Sequence, residues 1–234
     1  MARSFFARPA PIVARDLVGR DLVRALDGAV LVARIVETEA YQEDDPASHS
    51  FRGRTARTEV MFGPAGHLYV YFSYGMHWCM NVVTGDDGEG SAVLLRAAEP
   101  IEGVDVMRAR RGVMRERLLC AGPGRLTQAL AVDRTLNGAD LMTGTELWIG
   151  AGRSVPPDRL GVSRRVGISV ARDRPWRFFD SGSAFVSRGA SPRQASAKGS
   201  ATDSAARWPR AKGRATDSGS AKGAASAPSD RPGA

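Results

Sequence analysis

The amino-acid composition changes near Ser187, and this change limits which part of the 234-residue chain can form a packed domain. Beyond it the sequence consists mainly of Ala, Gly, Ser, Arg, Lys and Pro, with Trp208 as its one aromatic residue. Residues 197–204 and 211–218 are near-repeats of each other. Such a composition cannot bury enough apolar surface to offset the entropy of ordering. We therefore expect one domain over residues 1–187 and a disordered, basic, low-complexity tail over residues 188–234.

Positive charge is concentrated in that tail. Residues 188–234 contain nine Lys and Arg against three Asp and Glu, so they contribute +6 of the net charge of +8. A flexible cationic segment suits weak, salt-sensitive attraction to phosphate backbones, although a terminal extension without function is equally consistent with the composition. All three lysines (Lys198, Lys212 and Lys222) lie there too. Residues 1–187 thus contain no lysine that could form a Schiff base with a substrate.

Cysteine content and hydropathy indicate the compartment. Two cysteines, Cys79 and Cys120, do not make a disulfide framework, and the sequence contains no CxxC motif. No run of 18 or more apolar residues occurs, and the first residues lack an apolar signal core. We expect a soluble cytoplasmic protein that does not bind membranes.

Strand patterns dominate the first half of the domain. Leu22 to Ala40 is predicted to form a hairpin around the tight-turn pair Asp27-Gly28. His67 to Ser73 alternates as a strand, and the segments from Met76 to Thr84 and from Ala92 to Ala98 predict another hairpin.

Helical patterns appear later, without regular βαβ alternation. The apolar spacing predicts a helix from Ile101 to Arg111, a second helix beginning near Gly124, and short strands near Leu147 and over 166–170. The mixture favours the α+β class: a single domain with a mixed, mostly antiparallel, curved β-sheet and packed helices.

Aromatic, imidazole and carboxylate groups crowd into one short region. All four tyrosines and all three histidines lie between Tyr41 and His77, and Glu37 and Glu39 come just before them. Alternation along an unbroken strand would place Ile35, Glu37, Glu39 and Tyr41 on one face. A carboxylate beside aromatic rings is partly desolvated, which raises its pKa and makes it a usable proton acceptor. The alternative is that both glutamates are solvated charges on an exposed face.

Other members of this cluster allow structural explanations. His49, His67 and His77 lack the i,i+4 spacing of helical metal ligands, so we expect no metal site and a stacking or hydrogen-bonding role for His49. A tyrosine row on a strand is commonly core or sheet surface. Tyr74, however, directly precedes Gly75 at a predicted bend. An aromatic side chain at a tip near arginines suits a wedge that displaces a nucleic-acid base.

Several longer motifs occur together in one order and carry a resemblance to a known family. These are Arg34-Ile-Val-Glu-Thr-Glu-Ala-Tyr41, then His49, then Met61-Phe-Gly-Pro-Ala-Gly-His-Leu-Tyr-Val-Tyr-Phe-Ser-Tyr-Gly-Met-His-Trp-Cys-Met-Asn81, Val93-Leu-Leu-Arg-Ala-Ala-Glu-Pro100, Gly122-Pro-Gly-Arg-Leu-Thr-Gln-Ala-Leu130 and Pro175-Trp-Arg-Phe-Phe179. From about residue 14 to residue 187, the sequence resembles the alkyladenine (3-methyladenine) DNA glycosylase family. The segment 122–130 alone would indicate no more than the start of a helix after a turn.

The resemblance implies a role for seven side chains. Glu39 would be the general base that activates water for attack at the sugar C1′, and Arg96 would help to fix that water. Tyr41, His49 and Tyr71 would line the pocket for the extruded base. Asn81 would lie at the pocket floor and disfavour guanine, and Tyr74 would fill the gap left by the flipped nucleotide. The remaining members of the cluster, Glu37, His67, Tyr69 and His77, are assigned structural roles.

The implied activity is that of a monofunctional DNA glycosylase in base-excision repair. Such an enzyme flips out alkylated or deaminated purines, such as 3-methyladenine, 7-methylguanine and hypoxanthine, and hydrolyses the N-glycosidic bond to leave an abasic site. The expected partner is double-stranded DNA with damaged purines, bound by a nucleoid-associated monomer without a metal or organic cofactor. Thr58 and Glu59 depart from the family pattern at a backbone contact. Two alternatives are a non-catalytic nucleic-acid-binding protein on the same scaffold and a metal-dependent hydrolase using Glu37, Glu39 and the histidines.

Overall fold

The computed structural model describes residues 1–187, and within them eight β-strands form one antiparallel sheet. In chain order the strands are β1 Asp21–Leu26, β2 Ala29–Tyr41, β3 Leu68–Ser73, β4 His77–Val83, β5 Ala92–Glu102, β6 Leu147–Gly150, β7 Leu160–Ser163 and β8 Arg177–Asp180. The α-helices are α1 Arg3–Phe6, α2 Ala10–Leu17, α3 Val104–Arg111 and α4 Pro123–Ala129. Short 3₁₀ helices cover His49–Arg52, Glu59–Phe62, Glu116–Leu118, Arg134–Leu136 and Pro157–Arg159. This architecture confirms the α+β prediction. The predicted tail lies outside the described residues.

The strand order places β2 in the middle of the sheet. Six strands follow the order β3-β4-β5-β2-β1-β6, while β8 pairs with β2 and β7 pairs with β8. The first part of β2 pairs with β1 across the predicted turn, where Leu26 lies opposite Ala29 and both Asp27 and Gly28 have positive φ. A two-residue turn of this kind matches the right-handed twist of the strands, so the hairpin prediction is confirmed.

Helices cover the sheet and complete the core. The buried side of α2, including Val13 and Leu17, packs against β2 and β5, and Thr38 of β2 donates a hydrogen bond to the Ala14 carbonyl at 2.7 Å. The helix α4 packs against β4 and β5, with α3 beside it. Leu126 and Met107 bring both helices into the main apolar cluster.

Two boundaries differ from the sequence prediction. The strand β5 continues through Pro100 to Glu102, because Glu102 still pairs with Val32 of β2, so α3 begins at Val104 rather than at Ile101. Gly103, at φ 70°, makes the turn between strand and helix. Three other predictions are confirmed: the β4–β5 hairpin, a helix at 123–129 and a strand at 147–150 are all present.

The predicted strand over 166–170 is wrong, because this segment forms bends rather than a ladder. Arg165, just before it, is buried and donates hydrogen bonds to the carbonyls of Ala40 and Ala171. Gly167 has a φ of 78°, which lies outside the β region. The segment consequently loops across the end of β2, and its Val166 backbone N–H points at a side chain rather than at another strand.

Candidate active site

The last residues of β2 place two glutamates inside the protein. Over Glu37–Glu39 the strand pairs with β5 on one side and β8 on the other, so neighbouring strands cover both of its edges. Glu37 and Glu39 are both 0% exposed. The alternative of solvated charges on an exposed face is therefore wrong. Buried carboxylates need compensating hydrogen bonds or cations, and both residues have them.

Arg96 supplies the cation from an irregular point of the β2–β5 ladder. Glu37 lies opposite Ala97 and Thr38 lies opposite Leu95, so the register skips Arg96. Bulges of this kind redirect a side chain near functional sites. The Arg96 Nε donates to Glu37 Oε1 at 3.0 Å, and its Nη1 donates to Glu39 Oε2 at 3.4 Å.

Two further donors complete the surroundings of Glu39. The Val166 backbone N–H donates to Oε1 at 2.7 Å, and the Tyr41 hydroxyl donates to Oε2 at 3.0 Å. Burial nevertheless raises the pKa of Glu39, more than Arg96, the Val166 N–H and the Tyr41 hydroxyl lower it. A carboxyl group with a raised pKa is a stronger base once it is ionised.

A cavity of about 530 Å³ opens beside this carboxylate, within the usual range for ligand pockets of roughly 300–1,000 Å³. Of the side chains that the resemblance implicates, six line it: Tyr41, His49, Tyr71, Tyr74, Asn81 and Arg96. The seventh, Glu39, lies behind Tyr41 and Arg96 and hydrogen bonds to both. All seven predicted residues are therefore brought together at one site.

The walls of the cavity are mainly aromatic. The rings of Tyr69 and Tyr71 stack with centroids 5.6 Å apart, and the His49 ring meets Tyr71 edge-on at 4.4 Å. His49 Nδ1 lies 3.0 Å from the Tyr69 hydroxyl. Burial, together with the nearby positive charge of Arg57, lowers the pKa of His49 to about 4. The imidazole is therefore neutral near pH 7, and it does not repel a cationic ligand.

The β3–β4 hairpin projects from one rim of the cavity. Ser73 pairs with His77, so Tyr74, Gly75 and Met76 form its tip. Tyr74 is 81% exposed and adopts a positive φ of 50°, and Gly75 follows at 65°. The backbone bend predicted at this point is present. It presents an aromatic ring to solvent beside the pocket.

Arg165 holds another wall in place. Its guanidinium pairs with Asp45, both side chains being fully buried, and lies over the Tyr41 ring at 4.6 Å from its centroid. The same residue precedes Val166, whose N–H bonds Glu39. Sequence patterns did not reveal this contribution, because the segment around Arg165 has no periodicity and its partner Asp45 lies 120 residues away.

Some cavity residues differ from their sequence-based assignment. Tyr69 and His77 were expected to be structural, yet both line the cavity, as does Arg57, whose guanidinium lies 5.6 Å from the Tyr71 ring centroid. His67 lies elsewhere and contacts the Pro64 carbonyl at 2.9 Å. A period-two pattern identified the tyrosine row but could not show which neighbours would close over it.

Other features of the described residues concern metals and membranes. Across residues 1–187, no group of three or more His, Cys, Asp or Glu side chains is arranged to hold a metal ion. Cys79 and Cys120 are buried and do not form a disulfide with each other. No helix in this part of the chain has the length and apolarity needed to cross a bilayer. Thr58, at the departure from the family pattern, is buried, and its hydroxyl accepts a hydrogen bond from the Thr55 N–H at 2.9 Å.

Comparison with known proteins gives consistent matches over the described fold. The family model for methylpurine-DNA glycosylase matches residues 4–184. A Carboxydothermus hydrogenoformans protein named "Putative 3-methyladenine DNA glycosylase" is 50% identical over 188 residues, which are 80% of this chain and 98% of that protein. A Rhizobium meliloti protein of the same name is 54% identical over 185 residues, covering 79% of this chain and 94% of that protein. The chain therefore belongs to the methylpurine-DNA glycosylase family.

Proposed function

We propose that the protein is a monofunctional DNA glycosylase that removes alkylated or deaminated purines, such as 3-methyladenine, 7-methylguanine and hypoxanthine, from double-stranded DNA. The main support for this proposal is the buried Glu39 carboxylate, which lies behind Tyr41 and Arg96 in the wall of a tyrosine-lined cavity. A base, a cation and a planar pocket are the groups that hydrolysis of an N-glycosidic bond requires. Membership of the family supports the same conclusion.

Glu39 activates the attacking water in this mechanism. Its raised pKa makes it a better proton acceptor than a solvated glutamate, and burial excludes competing bulk water. Arg96 Nη1 lies 3.4 Å from both the Glu39 carboxylate and the Val166 carbonyl oxygen. These three groups converge at one side of the cavity, and we place the water among them. The proton passes from the water to Glu39 as the water oxygen bonds to the sugar C1′. The electron pair of the broken N-glycosidic bond goes to the purine nitrogen, so a cationic alkylated purine leaves neutral and hypoxanthine leaves as an anion that takes a proton from solvent.

The aromatic walls recognise the departing base. An alkylated purine carries positive charge, which makes it a better leaving group and favours contact with the electron-rich faces of Tyr41 and Tyr71. Neutral His49 adds an imidazole edge without electrostatic repulsion. Asn81 donates from Nδ2 to the Tyr69 carbonyl at 3.2 Å, which fixes its amide at the pocket floor, where it disfavours guanine by a clash with the exocyclic amine.

The nucleotide reaches this pocket by rotating out of the duplex. Unstacking it requires a few kcal/mol, and least for a damaged base that pairs poorly, so some selectivity precedes binding in the pocket. Exposed Tyr74, at the hairpin tip, enters the gap left behind. This arrangement needs only one protein molecule per lesion, so we propose that the enzyme acts as a monomer on chromosomal DNA in the cytoplasm.

A lesion panel tests the reaction class. Duplex oligonucleotides with 3-methyladenine, 7-methylguanine, hypoxanthine or 1,N6-ethenoadenine are incubated with the protein, and abasic sites are revealed by alkali. We expect strand breaks only after alkali, because residues 1–187 contain no lysine for a strand-cleaving Schiff base. Cleavage without alkali would contradict monofunctionality. Loss of activity with a chelator would favour the metal-dependent hydrolase instead.

The competing class is a non-catalytic nucleic-acid-binding protein on the same scaffold. It predicts tight binding to the same duplexes with no release of base from any of them. The intact contacts among Glu39, Arg96 and Val166 favour catalysis over this alternative. Release of the free purine, followed by chromatography, separates the two without relying on alkali.

A further inference from the structure

Glu37 accepts four hydrogen bonds in the interior of the protein, although the proposed mechanism gives it no part. Its Oε1 accepts from the Nε atoms of Arg96 and Arg177, at 3.0 Å and 2.6 Å, and from the Ser187 hydroxyl at 3.0 Å. Its Oε2 accepts from the Ser187 backbone N–H at 2.7 Å. Arg177 is 1% exposed. Glu37 is therefore a buried charge that pairs with Arg177 and shares Arg96 with the reacting carboxylate.

The distances show which carboxylate holds Arg96. Charge-assisted N–H···O bonds usually measure about 2.7–2.9 Å. The Arg96 contact to Glu37, at 3.0 Å, is close to that range, whereas its contact to Glu39, at 3.4 Å, is long. The guanidinium is thus anchored through Nε by Glu37, and only Nη1 reaches toward Glu39.

We propose that Glu37 is a positioning residue that holds Arg96 away from a tight ion pair with Glu39 and directs its Nη1 into the proposed water site. This inference rests on the proposed function, because it gives a reason for keeping Glu39 incompletely paired. A tight pair would stabilise the carboxylate and weaken it as a base. An unanchored guanidinium would also leave the water without a fixed hydrogen-bond donor.

Ser187 belongs to the same arrangement. Its hydroxyl accepts a hydrogen bond from Arg96 Nε at 3.2 Å while donating to Glu37, so it bridges the two side chains. Arg177 supplies the second positive charge, and its Nη1 is held by the Ser163 hydroxyl of β7 at 3.0 Å. Two arginines thereby balance two glutamates in one buried group. Arg96 directs its Nε at Glu37 and Ser187, and its Nη1 at Glu39 and the Val166 carbonyl.

The charged and polar groups that face Glu39 determine how its pKa changes when Glu37 is substituted. Arg96 approaches from β5, Tyr41 and Glu37 lie on β2 itself, the Val166 N–H comes from the 164–173 loop, and Tyr71 lies across the cavity on β3. The negative charge of Glu37 helps to raise the pKa of Glu39, whereas Arg96 lowers it. Removing the Glu37 charge should lower the pKa of Glu39, and releasing Arg96 toward Glu39 should lower it further.

The test uses full-length Glu37→Gln. The Glu39 carboxyl is followed by ¹³C NMR with labelled glutamate and assigned by its absence in Glu39→Gln. We expect the pKa of Glu39 to fall in Glu37→Gln and the acid limb of the single-turnover rate to move to lower pH. The rate constant above the limb should decrease about ten- to a hundredfold, as for other losses of positioning. Binding to an abasic-site duplex should remain at the wild-type level.

Two further variants separate positioning from folding. Asp180→Asn removes a charge on β8 that pairs with Arg159 and does not line the cavity. It should lower thermal stability without moving the Glu39 pKa or the rate. Glu37→Gln with Arg177→Met keeps the buried charges balanced, so it should fold even if the single variant does not. It should reproduce the downward pKa shift.

Each outcome is decisive. An unchanged Glu39 pKa in a folded Glu37→Gln or double variant overturns the positioning role. So does a rate loss in Glu37→Gln that is fully accounted for by the unfolded fraction of that variant. If the wild-type protein releases no base from any lesion duplex, the proposed function fails, but the NMR titration still shows whether Glu37 holds Arg96 away from Glu39.

Discussion

Glu39 is fully buried, and its one short hydrogen bond comes from the Val166 backbone N–H at 2.7 Å. The Tyr41 hydroxyl at 3.0 Å is long for a bond to a carboxylate, and so is Arg96 at 3.4 Å. Because these contacts do not fully replace water, burial keeps the pKa of Glu39 raised. This side chain is therefore a reactive base whose ionised form destabilises the fold.

The instability of ionised Glu39 leads to a measurable prediction. A carboxyl whose pKa is raised on folding favours the native state only while it is protonated, so its ionisation lowers stability as pH rises through the folded pKa. Glu39→Gln should therefore increase the free energy of unfolding by about 1 kcal/mol at pH 7.5. The gain should shrink at pH 4, where the wild-type carboxyl takes up its proton. Urea unfolding at both pH values measures it, and a variant that is less stable at pH 7.5 would contradict the prediction.

His49 should not contribute to the pH dependence of the excision rate near neutrality. Its pKa of about 4 means that the ring stays neutral through pH 5–8, so it should not produce an acid limb there. In His49→Gln, excision should slow because the edge-on contact with Tyr71 is lost. The pH at the midpoint of the acid limb should not change, because that limb reports the titration of Glu39. Single-turnover rates at a series of pH values test this. A midpoint that moves with the substitution would identify His49 as the titrating group.

Among the elements of the fold, turns were the most predictable from sequence. Asp27-Gly28 and Tyr74-Gly75 form bends where expected, because few residue pairs accept consecutive positive φ angles. Long-range pairing was not predictable. Glu102 stays in β5 because of Val32 on another strand, and the 166–170 segment loops because Arg165 is tied to Asp45. Local periodicity contains neither fact.

In the candidate site, too, local motifs were predictable from sequence and long-range contacts were not. The motif residues Tyr41, His49, Tyr71 and Asn81 line one cavity, and Glu39 accepts a hydrogen bond from Tyr41 behind its wall. Arg165 and Ser187, in contrast, act through partners more than 100 residues away in sequence. Glu37 and Glu39 look alike in an alternating strand. Their different environments come from a register irregularity at Arg96 and from the separate partners that reach each carboxylate.

The β3–β4 hairpin should control base flipping through Tyr74 at its tip. Tyr74→Ala should shift the flipping equilibrium toward the stacked base by about tenfold, because a ring that fills the gap is lost. Tyr74→Phe keeps the ring and should behave as wild type. A fluorescent base analogue beside the lesion reports flipping, and excision from a mismatched, already unstacked lesion should be affected less. Normal flipping by Tyr74→Ala would rule out the wedge.

At the scale of the whole molecule, the central strand β2 links stability to chemistry. Its first part forms a hairpin with β1. Its last part carries Glu37 and Glu39 between β5 and β8, and then Tyr41, which pairs with β5. Ordered strands on both sides hold the reacting groups on a rigid element, while the loop around Val166 and the Tyr74 hairpin reach the cavity from its edges. The sheet thus positions the reacting side chains, while the loop and the hairpin border the entrance of the cavity.

The basic segment 188–234 gives a prediction for the full chain. It contributes +6 of the net charge, so removing the residues beyond about 190 should weaken binding to undamaged duplex DNA and flatten the dependence of log Kd on log salt concentration. The excision rate constant at saturating enzyme should not change, because the cavity lies within residues 1–187. Fluorescence anisotropy across a salt series compares the two proteins. Identical slopes would show that the segment does not contribute to DNA attraction.

Single-turnover excision of hypoxanthine from a duplex oligonucleotide, by wild-type protein and by Glu39→Gln, tests directly whether Glu39 is the general base. We expect release by the wild type and a loss of at least about a thousandfold in the variant, since the glutamine amide cannot accept the proton from water. Binding of the same duplex should be preserved in the variant. A Glu39→Gln protein that releases hypoxanthine at near the wild-type rate would contradict the central claim that this buried carboxylate is the general base.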